Sequence, residues 1–135
     1  MKITTPETAA SDERGSIKDI LVGQLVDSIT VITSKKGVVR GNHYHKETIQ
    51  WVYLHSGKMK SLSRIEGGAV ISKILKPGDV LVNEPNEHHA LIALEESLFY
   101  VFTYGPRSGK NYEQDTYKLD APLTDPKEAL GQKGE

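Results

Sequence analysis

The chain has 135 residues, 37% of them hydrophobic and 26% charged, and carries a net charge of −1. That size and balance fit one soluble globular domain and exclude the basic stripe that a nucleic-acid backbone requires. No apolar run approaches the ~18 residues of a membrane span, and the lack of cysteine removes disulfides, zinc–thiolate sites and cysteine nucleophiles.

The opening stretch MKITTPETAASDERGS has no apolar segment of the kind a secretory signal needs, so a cytoplasmic protein is expected. Strands are then predicted at SITVITS (28–34), VVRGNHYH (38–45), IQWVYLHS (49–56), MKSLSRI (59–65), AVISKIL (69–75), DVLVN (79–83), HHALIAL (88–94) and SLFYVFTY (97–104). The separators SGK, EGG, KPGD and NEPNE carry turn residues. Short strands with short connections and no long helical period predict an all-β sandwich or barrel. NYEQDTYKL (111–119) is expected to lie across an edge strand. The stretch 120–135 is polar, holds two prolines and is expected to be a tail with one helical turn at DPKEAL, leaving residues 1–119 as the domain.

Strand alternation gives the histidines a geometry. His43 and His45 are two apart and project from one face, with Tyr44 on the other. A short KET turn brings Gln50 beside them if all three face inward. His89 shares a face with Leu91 and Ala93, while His88 shares one with Ala90 and Ile92; parity leaves open which of the two histidines points inside. His55 is read as a surface residue, and Trp51 and Tyr53 as packing residues or part of an exposed dimer face.

The spacing across 37–57 resembles the first cupin motif: a glycine, five residues, His-x-His, three or four residues, an acidic ligand, six residues and a glycine. Here Gly37, His43, His45 and Gly57 match, with Gln50 in place of the acid. GDVLVNEPNEHHALIAL resembles the second motif through Gly78 and His89. Two further segments, SDERGSI and VVRGNHYHK, resemble the nucleotide-sugar 3,4-ketoisomerases and, less closely, the dTDP-sugar 3,5-epimerases. This resemblance implies an all-β, single-domain cupin, a double-stranded β-helix or jelly roll, paired as a homodimer.

It also implies an enzyme of surface-polysaccharide biosynthesis: an isomerase or epimerase of a nucleotide-linked keto-deoxysugar. His43 and His45 would carry proton transfers, for which an imidazole with an unperturbed pKa of ~6.5 is suited. Gln50 would donate a hydrogen bond to the developing enolate oxygen. Tyr100 falls where the epimerases keep an acid tyrosine, although a packed tyrosine is the simpler reading. Arg40 and Arg14 are candidates for the nucleotide pyrophosphate, with a local pair to Asp12 or Glu13 as the plainer role for Arg14. A second reading uses His43, His45, His89 and Gln50 as ligands of one divalent transition metal (Zn, Fe, Mn or Ni), as in a small-molecule dioxygenase. A third is a sugar-binding barrel without catalysis. SDERGSI and VVRGNHYHK favour the first, because metal cupins in general need neither.

Overall fold

A computed structural model describes residues 1–107 and 113–124 of the chain. Its strands are β1 (Lys2–Thr4), β2 (Thr8–Asp12), β3 (Gly15–Lys18), β4 (Ser28–Ser34), β5 (Val39–Tyr44), β6 (Ile49–Ser56), β7 (Met59–Arg64), β8 (Ile71–Leu75), β9 (Val80–Asn83), β10 (His88–Ala93), β11 (Ser97–Tyr104) and β12 (Tyr117–Lys118). They form two antiparallel five-stranded sheets, in the orders β1-β9-β6-β11-β4 and β12-β5-β10-β7-β8, and a separate β2-β3 hairpin. Among the described residues no helix is long and apolar enough to cross a membrane.

Alternation explains how the sheets meet. Val52, Leu54, Leu81, Phe99 and Val101 of the first sheet pack against Met59, Leu75, Leu91 and Ala93 of the second, forming the core between them. The opposite parity of the second sheet supplies another cluster, Val39, Leu62, Ala90 and Ile92, on its outer side. Leu94 and Leu123 pack against that cluster. The described beginning of the expected polar tail therefore lies against the barrel: Thr124 is buried and its hydroxyl accepts from the Asn42 amide at 3.3 Å. The rest of the tail, with the expected turn at DPKEAL, lies outside the described residues.

The eight strands expected between 28 and 104 form. Of the stretch 111–119, Tyr117 and Lys118 lie along β5, opposite Tyr44 and His43, while 111 and 112 lie outside the described residues. Three strands were not anticipated: β1 and the two strands of the β2-β3 hairpin. Of the two roles expected for Trp51, burial selects packing. It is only 6% exposed, so the free apolar surface of that sheet lies instead at Ile29 and Val31 of its edge strand.

Candidate active site

The strand β5 carries the site because of one irregularity. Its pairing with β10 shifts register between His89 and Ala90: His89 lies opposite His43, and Ala90 opposite Gly41. Asn42 is the extra residue, held at φ 57°. The bulge resets parity, so Arg40 and His43, three positions apart, both line the cavity. Gly41 is at φ 94°, and a Cβ there would stand 2.8 Å from the His89 carbonyl oxygen. Only glycine lets β5 approach β10 that closely.

His43 and His45 come from β5 and the turn after it, His89 from the neighbouring β10. Their ring centroids are 4.9 Å (43–45), 4.6 Å (43–89) and 5.1 Å (45–89) apart. One ring nitrogen of each lies within 4.8 Å of one from each of the others. The choice that parity left open falls on His89, since its face is the inter-sheet face of β10. His88 points outward, where its ring lies 5.0 Å from that of Tyr44 and its Nδ1 is 3.2 Å from Arg64.

Two of the three tautomers follow from the partners. His45 Nδ1 is 2.8 Å from the Asp115 carbonyl and His89 Nδ1 is 3.2 Å from the Glu87 carbonyl. A carbonyl only accepts, so both rings carry their proton on Nδ1 and present a bare Nε2. The buried Nε2 of His45 has no hydrogen-bond partner. The Gln50 amide favours the charged form of that ring without completing a hydrogen bond to this atom.

The cluster is held neutral. Burial, followed by the charges of His45 and Arg107, pushes His43 down to about 3. Burial also lowers His45, opposed by its bond to the Asp115 carbonyl. Burial and the two neighbouring histidines take His89 well below its ordinary value.

Opposite the histidines, the first sheet contributes Gln50, Asn83 and Thr30 as polar lining and Ile32, Val52, Phe99 and Val101 as an apolar wall. Gln50 is buried and donates to the Thr103 hydroxyl at 3.4 Å. Arg107, just after β11, completes the rim. No Asp, Glu, Tyr or Lys lines this cavity among the described residues.

Of the residues expected at the site, the fold brings together His43, His45, Gln50, His89 and Arg40. It does not bring Tyr100: β11 turns Phe99, Val101 and Thr103 inward, and Tyr100 stands on the outer face, 6.4 Å from the Tyr53 ring. Nor does it bring Arg14, which is exposed on the β2-β3 hairpin and pairs with Asp12 at 2.6 Å, the plainer role. Arg40 is present but tethered, donating to the Ser34 hydroxyl at 2.8 Å and the Thr33 carbonyl at 3.1 Å. Asn83, Thr30, Arg107 and Asp115 were missed. Asn83 had a signal, a polar residue on the inward parity of an apolar strand; Arg107 and Asp115 lie in loops and had none.

No family model and no curated protein matches the sequence. Solved structures do. The chain is similar to QdtA, a sugar 3,4-ketoisomerase from Thermoanaerobacterium thermosaccharolyticum solved with TDP: TM-score 0.71, 18% identity, over 88% of each chain. It is similar to the rmlC epimerase of Mycobacterium tuberculosis, at a TM-score of 0.70 and 21% identity over 94% of this chain and 71% of that one. It is also similar to a dTDP-4-dehydrorhamnose 3,5-epimerase from Sulfolobus tokodaii: TM-score 0.67, 21% identity, over 79% of this chain and 71% of the other. At these identities the likeness establishes the fold alone: an all-β jelly roll of the shape seen in these epimerase and ketoisomerase structures.

Proposed function

We propose that the protein is an isomerase of a nucleotide-linked keto-deoxysugar, moving the ketone between adjacent ring carbons. One observation carries this reading: His43 and His89 line the cavity from one sheet, with His45 in the turn that follows β5 and its ring 4.9 and 5.1 Å from theirs, while the facing sheet offers amides, a hydroxyl and apolar side chains. Inversion at a carbon requires a proton donor on the face opposite the base. Transfer to the neighbouring carbon requires one face only. The proposal is therefore ketoisomerase rather than epimerase chemistry.

In the forward direction a base removes the proton on carbon 3, next to the ketone at carbon 4, leaving an enediolate. Protonation at carbon 4, with the carbon 3 hydroxyl proton passed to the carbon 4 oxygen, gives the 3-ketone, with no net change in protons. His45 is the base, since its bare Nε2 needs a partner and its Nδ1–H is tied down. His43 stays neutral even in acid, which makes it a poor carbon base and suits it to relaying a proton between the two sugar oxygens. Gln50 and Asn83 are the neutral donors for the enediolate oxygen. Arg40 and Arg107 are the cations at the cavity for the diphosphate. Offering the protein dTDP- and UDP-linked 4-keto-6-deoxy sugars and reading the product by NMR tests the proposal. A 3-keto product supports it, and unchanged substrate of both kinds at high enzyme concentration refutes it.

The same site fits a divalent metal, and the orphaned Nε2 of His45 is the observation that favours this second reading. Neutral imidazoles keep their lone pairs free, and carbonyls gripping Nδ1 of His45 and His89 are the usual support for ligating histidines. His43, His45, His89 and Gln50 would hold the ion, which would supply Lewis-acid polarisation of a bound carbonyl. Elemental analysis before and after dialysis against a chelator tests it: near-stoichiometric metal, lost together with activity, selects this reading, and full activity in metal-free protein removes it. A homodimer accords with the apolar surface at Ile29 and Val31; a monomer in sedimentation velocity contradicts the dimer.

A further inference from the structure

We propose that Asp115 is a positioning residue for His45, its carboxylate fixing the turn after β5 while its backbone carbonyl holds the imidazole as the Nδ1–H tautomer. The inference rests on the reading that His45 acts through Nε2, and it holds whether that atom is a base or a metal ligand.

The carboxylate is fully engaged. Oδ1 accepts from the Lys46 backbone N–H at 2.9 Å. Oδ2 accepts from the N–H groups of Glu47 at 2.9 Å and Thr48 at 2.8 Å, and from the Thr48 hydroxyl at 2.7 Å. Consecutive amides make a concave donor set, and a charged acceptor makes such bonds the strong kind. Burial alone would raise this carboxyl; the bonds from Thr48, Lys46 and Glu47 outweigh it and hold it below its ordinary value.

The carbonyl of the same residue lies 2.8 Å from His45 Nδ1, so side chain and backbone of Asp115 converge on residues 45–48. Asp115 sits at φ 50°, a left-handed conformation that aspartate tolerates better than most residues. Neighbouring bonds secure the segment. Tyr117 pairs with Tyr44, and the Leu119 and Leu123 N–H groups donate to Asn42, at its carbonyl (2.9 Å) and Oδ1 (2.8 Å). The bulge and the histidine turn are thus gripped by one distant stretch of chain. A ring anchored only by packing could present either nitrogen to the cavity; the Asp115 carbonyl leaves one choice.

The test is two-bond proton–nitrogen NMR on the full chain labelled with 15N-histidine, on the unmutated protein and on Asp115→Gly and Asp115→Asn. Glycine keeps the left-handed backbone and removes the carboxylate; asparagine keeps the shape but can satisfy only part of the donor set. His89, tied to Glu87, is the internal reference. The expected result is His45 as Nδ1–H in the unmutated protein, and a shift toward Nε2–H or a mixture in Asp115→Gly with His89 unchanged. Asp115→Asn should fall between them. Turnover of the keto sugar, or metal affinity, should drop about ten- to a hundred-fold with nucleotide-diphosphate binding unaltered. His45 found as Nε2–H in the unmutated protein overturns the proposal, as does Asp115→Gly retaining both tautomer and activity. If Asp115→Gly does not fold, Asp115→Asn and Thr48→Val carry the same readout. If no keto sugar is turned over, the isomerase reading fails while the tautomer measurement still decides the role of Asp115.

Discussion

A His45→Asn protein is expected to bind thymidine or uridine diphosphate as the unmutated protein does, and to turn over a nucleotide-linked 4-keto sugar about a thousand-fold more slowly. Removal of a positioned general base costs roughly 10²–10⁴ in rate. Here no second base is placed to substitute: His43 is held neutral down to about 3, His89 lies well below its ordinary value, and no carboxylate lines the cavity among the described residues. The loss should fall on kcat, because asparagine fills similar space and the arginines proposed for the diphosphate are untouched. Tyr100→Phe is the contrasting variant. Its ring stands on the outer face of β11, so its turnover should match the unmutated protein within about two-fold. A large loss in Tyr100→Phe together with a small one in His45→Asn would move the chemistry away from the histidine wall.

The second large effect is on stability in acid. His43 has an ordinary pKa of 6.5 and a folded one of about 3. Between those values the unfolded chain binds a proton that the native chain refuses, so stability rises with pH across the window. This contribution is complete above pH 6.5 and is lost as pH falls from there toward about 3. His45 and His89 are lowered as well and act with the same sign. Asp115, a lowered carboxyl, adds its loss only at more acid pH. The neutral His43 is worth up to about 1.4 kcal/mol per pH unit, or about 2 kcal/mol between pH 6.5 and 5. Urea unfolding at pH 8, 6.5 and 5 should therefore show a level segment followed by a loss of at least about 2 kcal/mol. His43→Asn, though different in absolute stability, should show a shallower slope. A profile flat from pH 8 to 5 would mean that the cluster is hydrated or already charged.

Much of this architecture was legible in the sequence, for a physical reason. Strands such as Ser97–Tyr104 bury one face and expose the other, so period-two patterning survives in the residues. The β2-β3 hairpin is exposed along its whole length and leaves no such trace. The His-x-His pair, Gln50 and the closing Gly57 were readable because a short turn joins β5 to β6 and fixes their relation locally. Arg40 was named for its charge, but its place beside His43 depends on a bulge that pairing between distant strands creates. Tyr100 was misplaced by alignment although its parity, opposite to Phe99 and Val101, argued against an inward ring. Asp115 acts through its carbonyl and through bonds to amides some seventy positions away, which no local pattern records.

The most direct test of the central claim, proton transfer between adjacent carbons from one histidine wall, is a proton NMR time course in D2O. It would use a dTDP-linked 4-keto-6-deoxy sugar and catalytic amounts of the protein. The account predicts loss of the carbon 3 proton signal and appearance of a single 3-keto isomer, with the carbon 5 proton left intact. Exchange at carbon 5 with an inverted product, or no exchange at any carbon while the nucleotide remains bound, would contradict it.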